Sequence, residues 1–301
     1  MDNFILLIIC FLLGSALRMG KVVDESGPVA LNAIIIYFSL PALAILYAHS
    51  IPVNMALLIP ASMAWIVFAI GYLFFRCVGR FLGYSEKTIA CLSICCGLGN
   101  TSFIGLPMIE ALFGPEFMGI GMLCDTAGTF MVLAIPGIVI AAKASGQAVS
   151  GANLVKKVVT FPPLIAIVLG FLMQPVPYPE WFELVLERMG STLAPLALLS
   201  VGMSLKFHDL KGNGRDIMLG LGYKMFIAPV LMALLYFGVL GQVDMVSRVT
   251  VFEAAMGPMI TGGIVAVSYD LRPRLATSVV GVGIALSFVT LPVWYFVITA
   301  L

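Results

Sequence analysis

Apolar runs separated by short polar connections extend along the whole chain. Each run has about the 20 residues that a helix needs to cross the hydrocarbon core of a bilayer. The pattern therefore predicts an all-α membrane protein of ten spanning helices without a separate folded domain. In chain order, the predicted spans are residues 2–20, 27–48, 54–76, 87–111, 116–142, 158–174, 183–205, 216–239, 244–269 and 275–299.

Positive charge is distributed unevenly between the two ends of these spans. Thirteen of the 16 Lys and Arg residues lie in or beside the connections after odd-numbered spans, and the opposite side holds two, Arg188 and Arg248. Because Lys and Arg concentrate in cytoplasmic loops, we predict that both termini are extracellular or periplasmic. The thirteen are Arg18, Lys21, Arg76, Arg80, Lys87, Lys143, Lys156, Lys157, Lys206, Lys211, Arg215, Arg272 and Arg274.

Two predicted spans are interrupted by helix-breaking residues at bilayer depth: span four at Gly99–Pro107 and span nine at Gly257–Gly263. Lipid cannot satisfy freed backbone groups, so both interruptions are predicted to be buried in protein. Paired interruptions in two halves of a chain are typical of a transporter's binding site. The predicted substrate contacts are Asn100, Thr101, Ser102, Gly257, Pro258, Met259 and Thr261, and the predicted hinge residues are Gly99, Gly105, Pro107, Gly262 and Gly263.

Five spans on each side of a linker predict an inverted repeat, with residues 1–143 and 158–301 as the two halves and residues 144–157 between them. Pro41 in span two and Pro195 in span seven lie at similar depths, each before an aliphatic run.

Three ionisable residues, Asp125, Lys224 and Glu253, are predicted at membrane depth, where each costs roughly 2.5–3.5 kcal/mol. Lys224 and Glu253 either form a structural ion pair between adjacent spans, or Glu253 binds a proton or cation that drives transport. Asp125 either belongs to the same ion-coupling group or bonds its own helix. Both choices are open from sequence alone.

Asn100 is the predicted centre of an anion site. A broken helix exposes unpaired N–H groups and about half a positive charge at the start of its second half. An Asn amide can also donate to a carboxylate. The alternative is that Asn100 satisfies carbonyl groups freed by the kink.

Composition supports a membrane protein: 61% of residues are hydrophobic, 10% are charged, and the net charge is +1. Ordinary globular chains have roughly 25% charged residues. The charge balance predicts no nucleic-acid partner. The six cysteines form no CxxC pair or Cys/His cluster, so we expect no metal or other cofactor. With no nucleotide-binding loop and no nucleophile–base spacing, the sequence predicts a protein that is not an enzyme and does not use ATP.

The motifs GNTSFIGLP (Gly99–Pro107), LAPLALLSVGMSL (Leu193–Leu205) and VTLP (Val289–Pro292) resemble those of the auxin efflux carrier family of membrane transporters, bacterial branch. The resemblance covers essentially the whole chain. It implies crossed broken helices, a fold shared more distantly with bile-acid/sodium symporters, and a homodimer. It also implies a scaffold of spans 1, 2, 6 and 7, including Pro41 and Pro195, and a moving core of spans 3–5 and 8–10.

Related proteins move organic anions such as auxin, malate or malonate, and the family's polar crossover residue matches Asn100. Plant members place an Asn near the proline of span nine, whereas here Thr261 is the nearest polar side chain. This departure argues against an auxin-like substrate.

Together these observations predict a secondary transporter in the cytoplasmic membrane. It would carry a small organic carboxylate by elevator-type movement, linked to protons or sodium. The alternatives are a sodium-coupled symporter of a larger, bile-acid-like anion, a ligand-sensing membrane protein that does not transport, and a channel.

Overall fold

The computed structural model describes residues 2–24, 26–51, 54–148, 150–204 and 213–301. Within these ranges the chain is helical apart from short connections and one isolated β-bridge. Lys206 and Lys211 of the charge pattern and Leu205 of the second motif lie outside the described residues.

The described residues form thirteen helices. They are α1 (Asp2–Met19), α2 (Gly27–Ser50), α3 (Met55–Phe81), α4 (Glu86–Cys96), α5 (Thr101–Leu112), α6 (Pro115–Ser145), α7 (Gly151–Val159), α8 (Pro162–Leu172), α9 (Glu180–Ser204), α10 (Gly214–Val239), α11 (Met245–Ala254), α12 (Ile260–Ser268) and α13 (Pro273–Ala300).

Six of these described helices, α2, α3, α6, α9, α10 and α13, are long and apolar enough to cross a membrane. Helices α7 and α8 meet at a bend of 54° and add a seventh crossing if they form one span. The predicted all-helical membrane architecture is thus confirmed, and the count of ten spans remains a prediction.

Local sequence signals fix several helix ends. The Ser85 hydroxyl accepts a hydrogen bond from the Thr88 amide (3.2 Å) at the start of α4, and Asp244 Oδ1 accepts one from the Ser247 amide (2.9 Å) at the start of α11. Gly146, in the left-handed conformation with φ of 74°, ends α6.

The contacts divide the chain into two compact units. The described residues of unit 1 lie within Met1–Met55, Ser102–Met122 and Val155–Leu205, and those of unit 2 lie within Ala56–Thr101, Leu123–Leu154 and Lys206–Leu301.

Unit 1 is organised around a close contact between α1 and α9. A Cβ atom on Gly14 would overlap the carbonyl oxygen of Leu199, and one on Gly202 would overlap the carbonyl oxygen of Phe11. Small residues let helix backbones approach closely where hydrophobic burial gives little driving force. These two glycines therefore set the distance between α1 and α9.

Polar bonds connect α2 to α9 in the same unit. The Ser200 hydroxyl donates to Asn32 Oδ1 (2.5 Å), and the Ser39 and Thr192 hydroxyl oxygens lie 2.8 Å apart. Pro41 and Pro195, the predicted scaffold prolines, follow Ser39 and Thr192 closely along their helices.

Unit 2 is joined by buried aromatic side chains that donate to main-chain carbonyl groups. The hydroxyls of Tyr223 and Tyr236 on α10 donate to Val67 (2.5 Å) and Ile59 (3.1 Å) on α3. Trp294 on α13 donates through Nε1 to the Met225 carbonyl (2.9 Å) on α10. Because α10 contacts α3 and α13 in this way, the position of Lys224 between Tyr223 and Met225 is fixed.

Arg272 holds together the starts of three helices in unit 2. Its guanidinium donates to Thr88 Oγ1 (3.1 Å) near the start of α4 and to Asn213 Oδ1 (3.0 Å) just before α10, and it lies 3.6 Å from Asp216. Arg272 itself precedes α13. All three helices contribute residues to the candidate site described below.

Replacing Gly202 by Ala tests the α1–α9 contact. The added methyl would overlap the Phe11 carbonyl oxygen, so we expect a loss of about 1–3 kcal/mol in stability, measured as thermal unfolding in detergent. Gly222→Ala in α10 is the matched control, because no atom lies within 4 Å of its added Cβ. Equal melting temperatures for Gly202→Ala and the wild type would contradict the close contact.

Candidate functional site

Both predicted interruptions are present, over shorter stretches than predicted. The first unwound stretch is residues 97–100, between α4 and α5, and the second is residues 255–259, between α11 and α12. Gly99, Asn100, Gly257, Pro258 and Met259 lie in the unwound stretches, and Thr101 is the first residue of α5.

The prediction that Gly105 and Pro107 belong to the unwound stretch is wrong, because both lie within α5. Residues Thr101–Gly105 form π-helical turns, and Pro107 occupies the first turn of the α-helical part that follows. Proline is tolerated there, since its missing N–H falls among the groups that a helix start leaves unpaired.

Thr261, Gly262 and Gly263 likewise lie inside α12 and not in the break. A Cβ atom on Gly262 would be 2.7 Å from the Ile94 carbonyl oxygen of α4, and one on Gly263 would be 3.0 Å from Val280 Cγ2 of α13. These glycines therefore allow α12 to pack closely against its neighbours.

The two unwound stretches cross in antiparallel fashion within unit 2. Gly99 pairs with Pro258, and the Asn100 amide donates to the Gly257 carbonyl (2.9 Å). The Met259 amide donates to the carbonyl of Cys95 (3.2 Å), near the end of α4. Each break therefore satisfies backbone groups that the other break exposes.

Small residues make room for this crossing. A Cβ atom on Gly283 of α13 would overlap Cδ of Pro258, and one on Gly257 would overlap the Ser287 hydroxyl oxygen. Gly283 and Ser287 were not predicted as site residues. Their spacing of four puts them on one helix face, and only the position of Pro258 identifies that face.

Lys224 places a buried cation beside the crossing. It lies in the π-helical segment Tyr223–Ile227 of α10 and is 1% exposed. Its Nζ donates to the carbonyl of Ala254 (2.7 Å), the last residue of α11, where the helix dipole favours positive charge. A Cβ atom on Gly99 would lie 3.1 Å from this Nζ, so the ammonium directly adjoins the first break.

Glu253 lies next to Ala254 in sequence but is not bound by Lys224. Its side chain is fully buried, and neither carboxylate oxygen has a hydrogen-bond partner. No ion pair joins Glu253 to Lys224 among the described residues. The structural ion pair, one of the two sequence-based interpretations, is therefore not formed.

Asp125 accepts a hydrogen bond from the Thr101 hydroxyl (2.6 Å), with both side chains buried. Asp125 lies in the π-helical segment Cys124–Phe130 of α6, and Thr101 follows the first break directly. This bond attaches α6 to the crossing. Sequence spacing gave no sign of it, although both residues were candidates separately.

Asn100 is 2% exposed, and its Nδ2 group has no hydrogen-bond partner. The side-chain N–H groups of Asn100 therefore do not satisfy carbonyl groups freed at the kink. A buried donor left unpaired costs about 1–3 kcal/mol, so its retention at the crossing calls for an acceptor.

Two predicted substrate contacts lie outside the unwound stretches. Ser102 is buried in α5 and belongs to unit 1, and Thr261 is half-buried in α12. Within the described residues, no group of three or more His, Cys, Asp or Glu side chains is placed to hold a metal ion.

Comparison with known proteins gives a match to one family over almost the whole chain. Residues 1–295 match the family described as "Membrane transport protein". An uncharacterized transporter of Methanothermobacter thermautotrophicus is 27% identical over 300 residues, covering 97% of this chain and 96% of the relative. The uncharacterized transporter YfdV of Escherichia coli is 20% identical over 317 residues, covering 97% and 95%.

A pair of isosteric substitutions tests the Thr101–Asp125 bond. Thr101→Val removes a buried donor from Asp125, so we expect a loss of about 1–3 kcal/mol in the free energy of unfolding. Thr126→Val is the control, because the Thr126 hydroxyl is buried without a partner and its removal costs little. Thermal unfolding of both variants measures the difference, and equal melting temperatures would argue against the bond.

Proposed function

Because the chain belongs to the membrane transport protein family, the auxin efflux carrier family that its motifs resemble, we propose that it carries a small organic carboxylate across the cytoplasmic membrane. The family and the names of its relatives make the chain a membrane transporter and not an enzyme.

The observation that carries the proposal is a pair of donors at the crossing within unit 2. The side-chain Nδ2 group of Asn100 is buried and has no hydrogen-bond partner, and the Lys224 ammonium adjoins Gly99, the residue before Asn100. A carboxylate accepts hydrogen bonds and carries the opposite charge, so it would satisfy both groups. The start of α12 adds backbone N–H groups and a positive dipole end.

We propose an elevator-type movement in which spans 3–5 and 8–10 carry the site along a scaffold of spans 1, 2, 6 and 7. The two compact units support this division. Helices α1, α2, α8 and α9 belong to unit 1, and α3, α4, most of α6 and α10–α13 belong to unit 2. Residues Ser102–Met122 group with unit 1 and are the exception.

The ten-span inverted repeat is proposed on the basis of helix order. If α4–α5, α7–α8 and α11–α12 each count as one crossing, the helices make ten, with the unwound stretches in the fourth and ninth. Ten crossings place both termini on the same side. The distribution of Lys and Arg favours the outside.

Ion coupling through Glu253, Lys224 and Asp125 is proposed because all three are buried within unit 2 near the crossing. Uptake into liposomes with sodium replaced by choline distinguishes sodium from proton coupling. The homodimer is proposed from the family resemblance alone, and light scattering of the purified protein tests it.

Asn100→Ala should abolish substrate recognition while the protein still folds, since it removes the unpartnered donor. A thermal-shift screen of carboxylates on the wild-type protein identifies a stabilising ligand. The variant should lose that stabilisation and at least roughly tenfold of the uptake rate in liposomes, the equivalent of one hydrogen bond to a charged group.

Asn153→Ala, an exposed Asn in α7, is the matched control and should behave as the wild type. Normal uptake by a folded Asn100→Ala variant would contradict the proposed site.

Membrane orientation is testable with single cysteines. Among the native cysteines of the described structure only Cys77 is exposed, so Cys77→Ser removes the native thiol that the maleimide could reach. In that background, Asn153→Cys should react with a membrane-impermeant maleimide only in inside-out vesicles, and Glu180→Cys only in intact cells. Both positions are exposed. The reverse pattern would contradict outside termini.

A further inference from the structure

We propose that Glu253 is a proton-binding site whose occupancy gates the anion site: the crossing accepts an anion only while Glu253 carries a proton. This inference rests on the proposed anion transport at the crossing. It goes further by choosing the proton as the coupling ion and by giving the charge rule that links the two sites.

Glu253 is placed where an ionised carboxylate has neither a hydrogen bond nor a salt bridge. The side chain is fully buried, neither oxygen accepts a hydrogen bond, and Lys224 Nζ is bound to the Ala254 carbonyl. Burying a carboxylate without hydrogen bonds or a counter-ion is far more costly than burying a neutral carboxylic acid. The geometry therefore suits the protonated form.

The titratable groups that face Glu253 come from two helices. Cys124 and Asp125 lie on α6, and Lys224 lies on α10. The two buried tyrosines of α10 are occupied elsewhere, since their hydroxyls donate to carbonyl groups of α3.

The other helices that pack against α11 are α3 and α13. Their Lys and Arg residues lie near helix ends, and these residues are Arg76, Arg80 and Arg274. On α11 itself, Arg248 lies near the start of the helix, and its guanidinium donates to the carbonyl groups of Val243 and Thr299. The charge state around Glu253 is therefore set by Asp125 and Lys224.

The net charge of this cluster decides whether an anion is attracted. With Lys224 charged and Asp125 ionised and bonded to Thr101, a protonated Glu253 leaves the cluster neutral, and the Lys224 charge is available to a bound carboxylate. An ionised Glu253 makes the cluster negative beside the same site. One extra negative charge in the buried cluster beside the site lowers its affinity for an anion by roughly tenfold or more.

The rule makes one proton accompany each anion. Water on the loading side gives a proton to a Glu253 carboxylate oxygen, and the neutral carboxylic acid crosses with the anion. The proton returns to water on the other side, and the repelled anion leaves. At neutral pH Lys224 keeps its charge throughout, because its ammonium stays bonded to the Ala254 carbonyl at the carboxyl end of α11.

Infrared spectroscopy of the protein in liposomes tests the proton site without any substrate. At neutral pH the wild type should show the C=O stretch of a buried protonated carboxyl group. The band should be absent from Glu253→Gln and remain in Asp125→Asn. Identical carboxyl bands in the wild type and Glu253→Gln would overturn the proton site.

The gate is tested with malonate as the probe, by calorimetry between neutral pH and about pH 9, where both malonate carboxyl groups are ionised. Wild-type affinity should fall by up to about tenfold per pH unit once Glu253 ionises. Glu253→Gln should lose less affinity than the wild type over this range, because only the Lys224 ammonium can then deprotonate, and Glu253→Asp should retain the wild-type pH dependence. The same pH profile in the wild type and Glu253→Gln would overturn the gate.

Two further outcomes keep this inference separate from the transport proposal. If Glu253→Gln fails to fold, the wild-type carboxyl band must decline with pH in parallel with malonate affinity, and independent changes would overturn the gate. If malonate binds no variant at any pH, the proposed anion site and its gate are wrong for this probe. The infrared band would still decide whether Glu253 binds a proton.

Discussion

The exchange of backbone hydrogen bonds between two unwound stretches is the constraint on which the rest of unit 2 depends. A chain inside a bilayer must satisfy its own N–H and C=O groups, and regular helices do so without help. Here Asn100 and Met259 donate to Gly257 and Cys95, so each break supplies acceptors for the other. Neither stretch could satisfy these backbone groups without the other. The tight packing of α4, α12 and α13 holds the two stretches together.

This arrangement explains why glycine recurs around the crossing. Gly262 admits the Ile94 carbonyl oxygen, Gly283 admits the Pro258 ring, and Gly99 admits the Lys224 ammonium. At each of these positions glycine is needed because a side chain would overlap a neighbouring atom, and not because the backbone must be flexible. The Lys224 ammonium can consequently lie beside the residue that precedes Asn100, whose side-chain amide is buried without a partner.

The sequence was sufficient to place the interruptions, because Gly, Pro and small polar residues cluster there at bilayer depth. It could not set their limits: Gly105 and Gly262 look like helix breakers but lie inside helices, where π-helical turns or close packing accommodate them. The Thr101–Asp125 bond and the choice of the Ala254 carbonyl by Lys224 depend on the rotation of α6 and α10. Hydrophobic pattern does not determine that rotation when every face of a helix is apolar.

The π-helical segments at Cys124–Phe130 and Tyr223–Ile227 have a consequence for the phase of their helices. A π-helical turn holds one residue more than an α-helical turn while completing about the same rotation, so the segments on either side keep their orientation. The apolar pattern of α6 and α10 therefore shifts by one residue in sequence at Asp125 and at Lys224. Deleting a single residue there would turn the π-helical segment back into a regular α-helix and leave composition and hydropathy almost unchanged, yet displace the charged side chain from the partner it now touches.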